Sequence, residues 1–352
     1  MDISNLPILW ISIIFIVAAT VVWIAGVYLS NTTDTISKKL NIGQALGGII
    51  ILAIVTNLPE LVITISAAIK GNPALAIGNI LGGIAMQTLV LVLFDVVGIH
   101  GNKTLMSSSK NGINLVLQAV LVIAMLSVVI MGHQFPSSVI FWRFTPASIM
   151  LLLCWIAGVY VINYARSHNK WQLKKQVKTV SNRQVRQSRL KEGAPEFSSK
   201  TLVVFLVSII ATLAAGVFLE LSSDGIAKHL HMQGVIFGAT ILAAATSLPE
   251  VSTGLASLKI KAYRLAISDI FGGNAFLPVL LALLTFLSGK PILPQAHKSD
   301  IYLSALGITM TAVYIGGIVI QPKRKVLAMG LDSLFVLLVY LIGAAGLLMI
   351  KD

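Results

Sequence analysis

Apolar runs of about twenty residues recur along nearly the whole chain, separated by short polar segments. A helix of roughly 20 apolar residues crosses the hydrocarbon core of a bilayer. The pattern therefore predicts an all-α membrane protein with ten transmembrane helices. The ten predicted spans are about 8–29, 42–69, 74–98, 113–131, 139–164, 201–221, 234–258, 265–288, 301–320 and 330–350.

The first of these runs is expected to be an uncleaved helix rather than a signal peptide. The chain starts Met1-Asp2-Ile3-Ser4-Asn5, which contains no basic residue, and the run is longer than a signal-peptide core. Composition supports the membrane assignment, since 56% of the residues are hydrophobic and only 11% are charged. The mean hydropathy is +0.90. The single cysteine, Cys154, excludes an internal disulfide.

The net charge of +13 would suggest nucleic acid binding in a soluble protein, but here its placement indicates membrane topology. The polar segment 166–200 carries ten Lys and Arg residues against two Glu residues. Basic loops stay on the cytoplasmic side, so this loop is expected inside and both termini outside. Under that orientation, the inside loops hold 20 of the 26 Lys and Arg residues and the outside ends hold 6. The predicted location is the cell (inner) membrane, and the basic loop is expected to set topology, with binding of anionic lipid as an alternative.

One acidic string occurs twice, each time deep in an apolar run. Residues 56–60 read Thr-Asn-Leu-Pro-Glu and residues 246–250 read Thr-Ser-Leu-Pro-Glu, so that Glu60 and Glu250 are 190 positions apart. A carboxylate at membrane depth costs roughly 2.5–3.5 kcal/mol on insertion scales. Two such carboxylates in matching contexts indicate a duplicated half-site and therefore a transporter.

The 190-residue shift aligns more than the two acids. Gly48 falls on Gly238, and the pair 82–83 falls on 272–273, both Gly-Gly, with no gap. Five predicted helices separate matching elements, and this odd number gives the halves opposite orientations. The sequence therefore predicts two inverted five-helix repeats, 1–165 and 201–352, joined by the linker 166–200, with a site at the midplane. Chance similarity between apolar helices is the alternative.

Proline inside each repeated string predicts that the second and seventh helices are broken. Pro59 and Pro249 remove a backbone donor each, so carbonyl groups near the break need other partners. Carbonyl, hydroxyl and carboxylate oxygens are ligands that Ca²⁺, Na⁺ and Mg²⁺ prefer. The candidate half-shells are Thr56, Asn57 and Glu60 in one repeat and Thr246, Ser247 and Glu250 in the other.

The helix after each string carries a face of small residues. It includes Gly-Asn-Ile-Leu-Gly-Gly at 78–83 and Ser-Asp-Ile-Phe-Gly-Gly at 268–273. Small residues four apart allow close helix packing. Close packing is either the whole role of these residues, or it also brings Asn79 and Asp269 near the glutamates.

Two facing carboxylates repel unless a cation or protons lie between them. Mutually exclusive occupancy by a divalent ion, sodium ions or protons, combined with alternating access, would give antiport. The sequence contains no P-loop string, nucleophile–base pair or cofactor motif, so neither an enzyme nor a resident cofactor is predicted. The expected partners are the lipid bilayer and inorganic cations, with no nucleic acid; the sequence does not indicate protein partners.

These strings resemble the cation/calcium exchanger superfamily, which includes the sodium/calcium exchangers. Its two repeats are built around Gly-Thr-Ser-Leu-Pro-Glu, followed by Gly-Asn-x-x-Gly-Ser-Asn-x-x-Asn or Asp. The resemblance implies ten helices, inverted halves and a central site that takes Na⁺ and Ca²⁺ in turn, as in prokaryotic members with short central loops. It carries Glu60 and Glu250 over as ligands and Gln87 as a longer amide.

The chain departs from the family pattern at several positions. Gly83 and Gly273 replace the family's serine, Leu277 replaces an amide or acid, and Asp269 stands where asparagine is usual. Three hypotheses stay open: a sodium/calcium exchanger-like antiporter, a proton-coupled antiporter of another cation, and a membrane cation sensor that has lost transport.

Five further acids are given structural roles. The three near predicted helix ends are expected to be solvated at the interface, and the two aligned by the repeat are expected to cap helix starts from loops. The first group is Asp95, Glu220 and Asp332, and the second is Asp34 and Asp224.

Overall fold

The regular structure of the described residues is helical apart from one two-stranded hairpin. The computed structural model describes residues 6–39, 55–99, 103–109, 112–168, 198–259, 261–322 and 324–350.

Fourteen α-helices lie in these described ranges. They are α1 Ile8–Lys39, α2 Leu58–Lys70, α3 Pro73–Gly98, α4 Leu105–Ser108, α5 Ile113–Gly132, α6 Pro146–His168, α7 Ser199–His229, α8 Gly234–Phe237, α9 Ala243–Thr246, α10 Leu248–Lys259, α11 Tyr263–Phe276, α12 Val279–Ser288, α13 Lys298–Ile320 and α14 Leu331–Leu347. A π-helical turn, Gly238–Leu242, joins α8 to α9, and a 3₁₀ turn, Leu293–Gln295, precedes α13. The hairpin pairs β1, Lys325–Val326, with β2, Met329–Gly330.

Among the described residues, seven helical segments are long and apolar enough to cross a membrane, or eight if the bent pair Gly234–Thr246 and Leu248–Lys259 is one span. Helix α14 is apolar but shorter. The first part of the predicted second span, 42–54, lies outside the described residues. The chain is thus a multi-pass helical membrane protein by length and composition, while the count of ten spans stays a prediction.

The structure agrees with some of the predicted span boundaries and corrects others. The predicted eighth span, 265–288, is confirmed as one apolar span, Tyr263–Ser288, although its helix is interrupted between α11 and α12, where Pro278 has no N–H to donate. The fifth span starts at Pro146 rather than at 139, and a tight turn in which Phe141 and Phe144 exchange backbone hydrogen bonds precedes it. Helix α7 runs past the predicted end of the sixth span at 221 and ends at His229, whereas the first predicted span, 8–29, is confirmed as Ile8–Leu29, and helix α1 continues beyond it to Lys39.

The extra turns of α1 and α7 correct the assignment of two acids. Asp34 and Asp224 are helical residues rather than caps in loops. Asp224 is accommodated there because it pairs with Lys228 one turn later at 2.6 Å and accepts a hydrogen bond from Asn72 Nδ2 at 3.0 Å.

Each repeated string forms the same local structure, a helical segment, one turn residue and a new helix. Asn57 is the turn residue in the first half and Ser247 in the second. In the second half the two segments meet at 41°. Each proline lies in the first turn of the new helix, where its missing N–H costs least. The predicted break of the seventh helix is therefore observed, and the first half contains the same break after Thr56.

Helices α1 and α7 pack against each other and against the breaks. A Cβ on Gly26 of α1 would come 2.6 Å from Pro249 Cβ. Gly216 of α7 lies 190 positions later. A Cβ on Gly216 would be 3.0 Å from Val62 Cγ1 and 3.6 Å from the Pro59 carbonyl oxygen. Glycine at these positions thus lets each long helix approach the broken helix of the other half.

Helix α3 is largely buried and lies at the centre of the bundle. A Cβ on Gly82 would overlap the backbone of Ala239 in the π-helical turn, and a Cβ on Gly238 would come 2.9 Å from the backbone nitrogen of Asn79. These contacts press α3 against the segment that leads into the second break. The small-residue face is therefore a packing surface that brings Asn79 toward the repeated strings.

The expectation of solvated acids at helix ends was wrong for three residues. Asp95, Glu220 and Asp332 are buried, with 0%, 1% and 6% of their surface exposed. Asp95 accepts hydrogen bonds from two backbone amides and the Ser333 hydroxyl. Glu220 pairs with Lys70 and accepts from the Ser66 hydroxyl at 3.0 Å. Partners supplied by other helices hold these two acids, which sequence position relative to helix ends does not indicate.

Candidate cation site between the broken helices

Glu60 and Glu250 both lie in the first turn of the helix that follows a break, α2 and α10. Their exposed fractions are 0% and 1%. Proline one residue earlier has no N–H, so the carbonyls of Val55 and Ala245, four residues before each proline, lose their helical donor. Each break therefore places a carboxylate close in sequence to a backbone carbonyl without a helical partner.

The two carboxylates are near enough to repel each other electrostatically. All four of their oxygens are buried, and none has a hydrogen-bond partner among the described residues. Isolated buried charges cost several kcal/mol each even after relaxation. Two adjacent acids with four unpartnered oxygens are therefore the strongest chemical signal in the described part of the chain, and they require a cation or protons.

The neighbouring polar side chains of the two strings are buried as well. Thr246 lies beside the Glu60 carboxylate, and its hydroxyl is 3.3 Å from Asn79 Oδ1. Ser247 donates to the Ala243 carbonyl at 2.7 Å, which leaves its oxygen able to accept or to bind a cation. Thr56 and Asn57 are 4% and 0% exposed, and their side chains are 3.5 Å apart. The predicted residues of both strings thus line one region between the halves.

Gln87 of α3 belongs to the same region. A Cβ on Gly273 of α11 would lie 3.2 Å from Asn57 Nδ2 and 3.5 Å from Gln87 Oε1. The Gln87 side chain is fully buried, and no described residue forms a hydrogen bond with either of its amide atoms. An unpartnered buried amide beside the two strings is a plausible ligand through its oxygen.

The position related to Gln87 by the repeat contributes no polar atom. Leu277 is fully buried, and its Cδ1 faces Gly83, at 3.6 Å from where a Cβ would be. The two halves of the site are therefore chemically unequal, with an amide on one side and an aliphatic side chain on the other.

Asp269 lies at the edge of the region. It is near enough to Glu250 to repel it, and its Oδ2 accepts a hydrogen bond from Thr253 at 2.9 Å. Unlike the two glutamates it is only partly buried. The structure thus brings a third carboxylate close to one of the two central acids.

Asn274 was missed by the sequence reasoning. It is fully buried on α11, and its Nδ2 donates to the Ile84 carbonyl at 3.3 Å and the Thr88 hydroxyl at 3.1 Å, while its Oδ1 has no partner within the described ranges. Ile84 is the residue that the 190-residue shift aligns with Asn274, so aligned positions of the two halves touch. An amide directly after Gly-Gly in an apolar helix was the available signal.

The region joins α2, α3, α10 and α11 and offers a hard, oxygen-rich set of donors. Carboxylates, hydroxyls, amide oxygens and freed carbonyls suit Na⁺ and Ca²⁺, whereas no His or Cys lies among the residues that form it. The arrangement can therefore bind and release a dehydrated hard cation, and it contains no group arranged for covalent chemistry.

Comparison with known proteins gives a family. The family model described as sodium/calcium exchanger protein matches residues 10–164 and 200–349, a stretch in each half of the chain. Among curated relatives, "Putative antiporter CaxA" of Alkalimonas amylolytica is 23% identical over 76% of this chain and 77% of its own length. Inner membrane protein YrbG of Escherichia coli is also 23% identical, over 79% and 80% of the two chains.

Solved structures show the same fold at low sequence identity. Native YfkE superposes with a TM-score of 0.65 at 14% identity and covers 96% of this chain and 92% of its own. The sodium-calcium exchanger NCX_Mj, soaked with Na⁺ and Sr²⁺, gives a TM-score of 0.59 at 20% identity, with coverage of 96% and 99%.

Proposed function

Because the chain belongs to the sodium/calcium exchanger family, a family of transporters rather than enzymes, we propose that it is a secondary cation antiporter that exchanges Na⁺ for Ca²⁺. The buried pair Glu60 and Glu250, with four unpartnered oxygens, carries this proposal. It lies between two helices broken at equivalent positions.

Exchange follows from mutual exclusion at this pair. With both glutamates ionised the site carries two negative charges, which one Ca²⁺ or two Na⁺ neutralise. An empty, ionised site is the costly state because its charges are buried and repel. Conversion between outward and inward access is therefore favoured with an ion bound, and this coupling makes transport an exchange.

The unequal halves bear on which ion is preferred. Leu277 removes one oxygen ligand, and glycine at 83 and 273 removes two hydroxyls that the family pattern supplies. A divalent ion takes six to eight oxygens, so Ca²⁺ affinity is expected to be modest. Freed carbonyls, Asn274 Oδ1 and Asp269 are the compensating oxygens.

Proton-coupled exchange of another cation is the second candidate, and Asp269 favours it. A third carboxylate near Glu250 raises the negative charge beyond what one divalent ion balances. A proton taken up together with the cation would restore balance. Flux driven by a pH gradient in sodium-free buffer would support this candidate, whereas strict dependence on sodium would exclude it.

The third possibility, a non-transporting sensor, predicts cation-induced thermal stabilisation without flux.

The basic segment 166–200 supports a cytoplasmic position for that loop and an inner-membrane location with both termini outside. Labelling of introduced cysteines by an impermeant reagent in intact cells would test the orientation.

The proposal is tested by uptake of ⁴⁵Ca²⁺ into proteoliposomes loaded with Na⁺. Wild-type protein is expected to accumulate Ca²⁺ only while the sodium gradient lasts, and Glu60→Gln and Glu250→Gln are each expected to abolish uptake while remaining folded. Asp224→Asn is the matched control, because it also neutralises an acid but one that is paired with Lys228 away from the site. Normal uptake by both glutamine variants would refute the proposal.

A further inference from the structure

A second pair of buried acids lies at the other end of α3 from its junction with α2. Asp95 is in the last turns of α3, and Asp332 is in the first turn of α14. Neither belongs to the repeated strings, and transport as proposed above does not use them. Asp95 is fully buried and Asp332 is 6% exposed.

Asp95 is a structural junction as well as an acid. Its Oδ1 accepts from the Leu105 amide at 2.7 Å, and its Oδ2 accepts from the Gly330 amide at 2.7 Å and the Ser333 hydroxyl at 2.8 Å. A carboxylate has about four lone-pair sites. Three donors occupy most of these sites and leave about one free.

Asp332 differs because both of its oxygens are buried and have no hydrogen-bond partner in the part of the chain that the structure describes. A Cβ on Gly317 of α13 would overlap its Oδ2, so glycine there leaves the space in which the carboxylate lies. No lysine or arginine of the described ranges forms an ion pair with Asp95 or Asp332. An unpaired, buried carboxylate beside a second one is strongly unfavourable without a counter-ion.

The separation of the two acids fits a shared ion. A Cβ on Gly330 would be 3.1 Å from Asp95 Oδ2 and closer still to Asp332 Oδ1, so these oxygens are less than 6.2 Å apart. Bonds from Ca²⁺ to oxygen are about 2.3–2.6 Å, so two ligands on opposite sides of one ion are about 5 Å apart. The Ser333 hydroxyl, 3.5 Å from the Tyr314 hydroxyl, supplies a further oxygen.

We propose that Asp332 and Asp95 form a second binding site for a small hard cation, separate from the Glu60–Glu250 site. Asp332 supplies two oxygens, Asp95 one, and Ser333 one. The ion neutralises the pair and ties α3, α13, α14 and the β1–β2 hairpin together. Its position among loops that are expected to be cytoplasmic makes it a site for an ion from that side, with a structural or regulatory role.

Thermal denaturation of the purified protein tests this site without relying on transport. The Glu60→Gln/Glu250→Gln protein is titrated with CaCl2 and with NaCl, with choline chloride as the ionic-strength control. At 100 times the dissociation constant, one bound ion is expected to raise Tm by about 3–4 °C. Adding Asp332→Asn is expected to abolish that rise, whereas adding Asp224→Asn leaves it intact.

A second measurement covers the case in which Asp332→Asn fails to fold. Tb³⁺ bound at the site would be excited through Tyr314, so Tyr314→Phe in the same double-glutamine background is expected to remove at least half of the tyrosine-sensitised emission. The proposal is overturned if the double-glutamine protein shows no metal-dependent rise in Tm, or if the rise survives Asp332→Asn.

Discussion

The ion pair between Lys70 and Glu220 gives a prediction whose size follows from the structure. Glu220 of α7 is 1% exposed, whereas the side chain of Lys70, at the end of α2, is 36% exposed. The pair joins the helix that carries Glu60 to the long helix α7. Removal of the lysine leaves a buried carboxylate whose remaining partner is the Ser66 hydroxyl.

Breaking a fully buried ion pair by removing one partner costs about 3–5 kcal/mol. Lys70 is partly exposed and Ser66 remains, so we expect about 2–3 kcal/mol for Lys70→Met. With an unfolding entropy of about 2.1 cal/mol/K per residue, that loss lowers Tm by roughly 3 °C. The Lys70→Met/Glu220→Gln double variant is expected to recover most of the loss, because no unpaired charge stays buried.

Lys228→Met is the matched control. The pair of Lys228 with Asp224 is also on α7, but its side chains are 62% and 29% exposed. Exposed pairs one helical turn apart contribute about 0.3–0.5 kcal/mol, so Tm is expected to fall by less than 1 °C. The measurement is thermal denaturation of the four purified proteins in the same detergent. Equal losses in the two single variants, or no recovery in the double variant, would refute the reasoning.

Three further predictions concern the candidate site and its packing. Gly273→Ser adds a hydroxyl beside the buried amides and is expected to tighten Ca²⁺ binding about 2–10-fold, as measured by titration calorimetry. Gly83→Ser adds its hydroxyl beside an aliphatic side chain and is expected to leave Ca²⁺ affinity unchanged. Equal effects of the two substitutions would contradict this. Asn274→Ala is expected to lower the free energy of unfolding by about 1–3 kcal/mol, because the Ile84 carbonyl and the Thr88 hydroxyl each lose a hydrogen-bond donor. The same substitution is expected to weaken Ca²⁺ binding. A denaturation curve equal to that of the wild type would contradict the hydrogen bonds. Gly82→Ala is expected to lower Tm by several degrees because its Cβ overlaps a neighbouring backbone, whereas Gly316→Ala, with no described atom within 4 Å, leaves Tm within about 1 °C; similar Tm values for the two would contradict the close packing.

The repeated strings could be located from the sequence because their chemistry is local. A proline breaks its own helix and a glutamate lies one residue away, so a pattern of five residues is enough to predict the break and the acid. The structure has the turn residues Asn57 and Ser247 where the prolines predict them. The residues of both strings are buried together, and the comparisons give the family that the strings suggested.

The fates of the other acids could not be predicted in this way. Asp95 and Glu220 lie near predicted helix ends, where exposure is the usual outcome, but their partners Gly330 and Lys70 are 235 and 150 residues away in sequence. Such pairings depend on how helices pack, which a single sequence does not encode at any one position. Asn274 was missed for the same reason, since its partners are on α3.

Calcium binding at equilibrium tests most directly whether Glu60 and Glu250 serve one ion. Binding of ⁴⁵Ca²⁺ is measured in the Asp332→Asn protein, so that the second proposed site does not contribute, and then after adding Glu60→Gln or Glu250→Gln. A shared site predicts one ion per chain, displaced by Na⁺, and essentially none with either glutamine present. Two ions per chain, with one retained after each single substitution, would show that the glutamates act separately and would contradict the account.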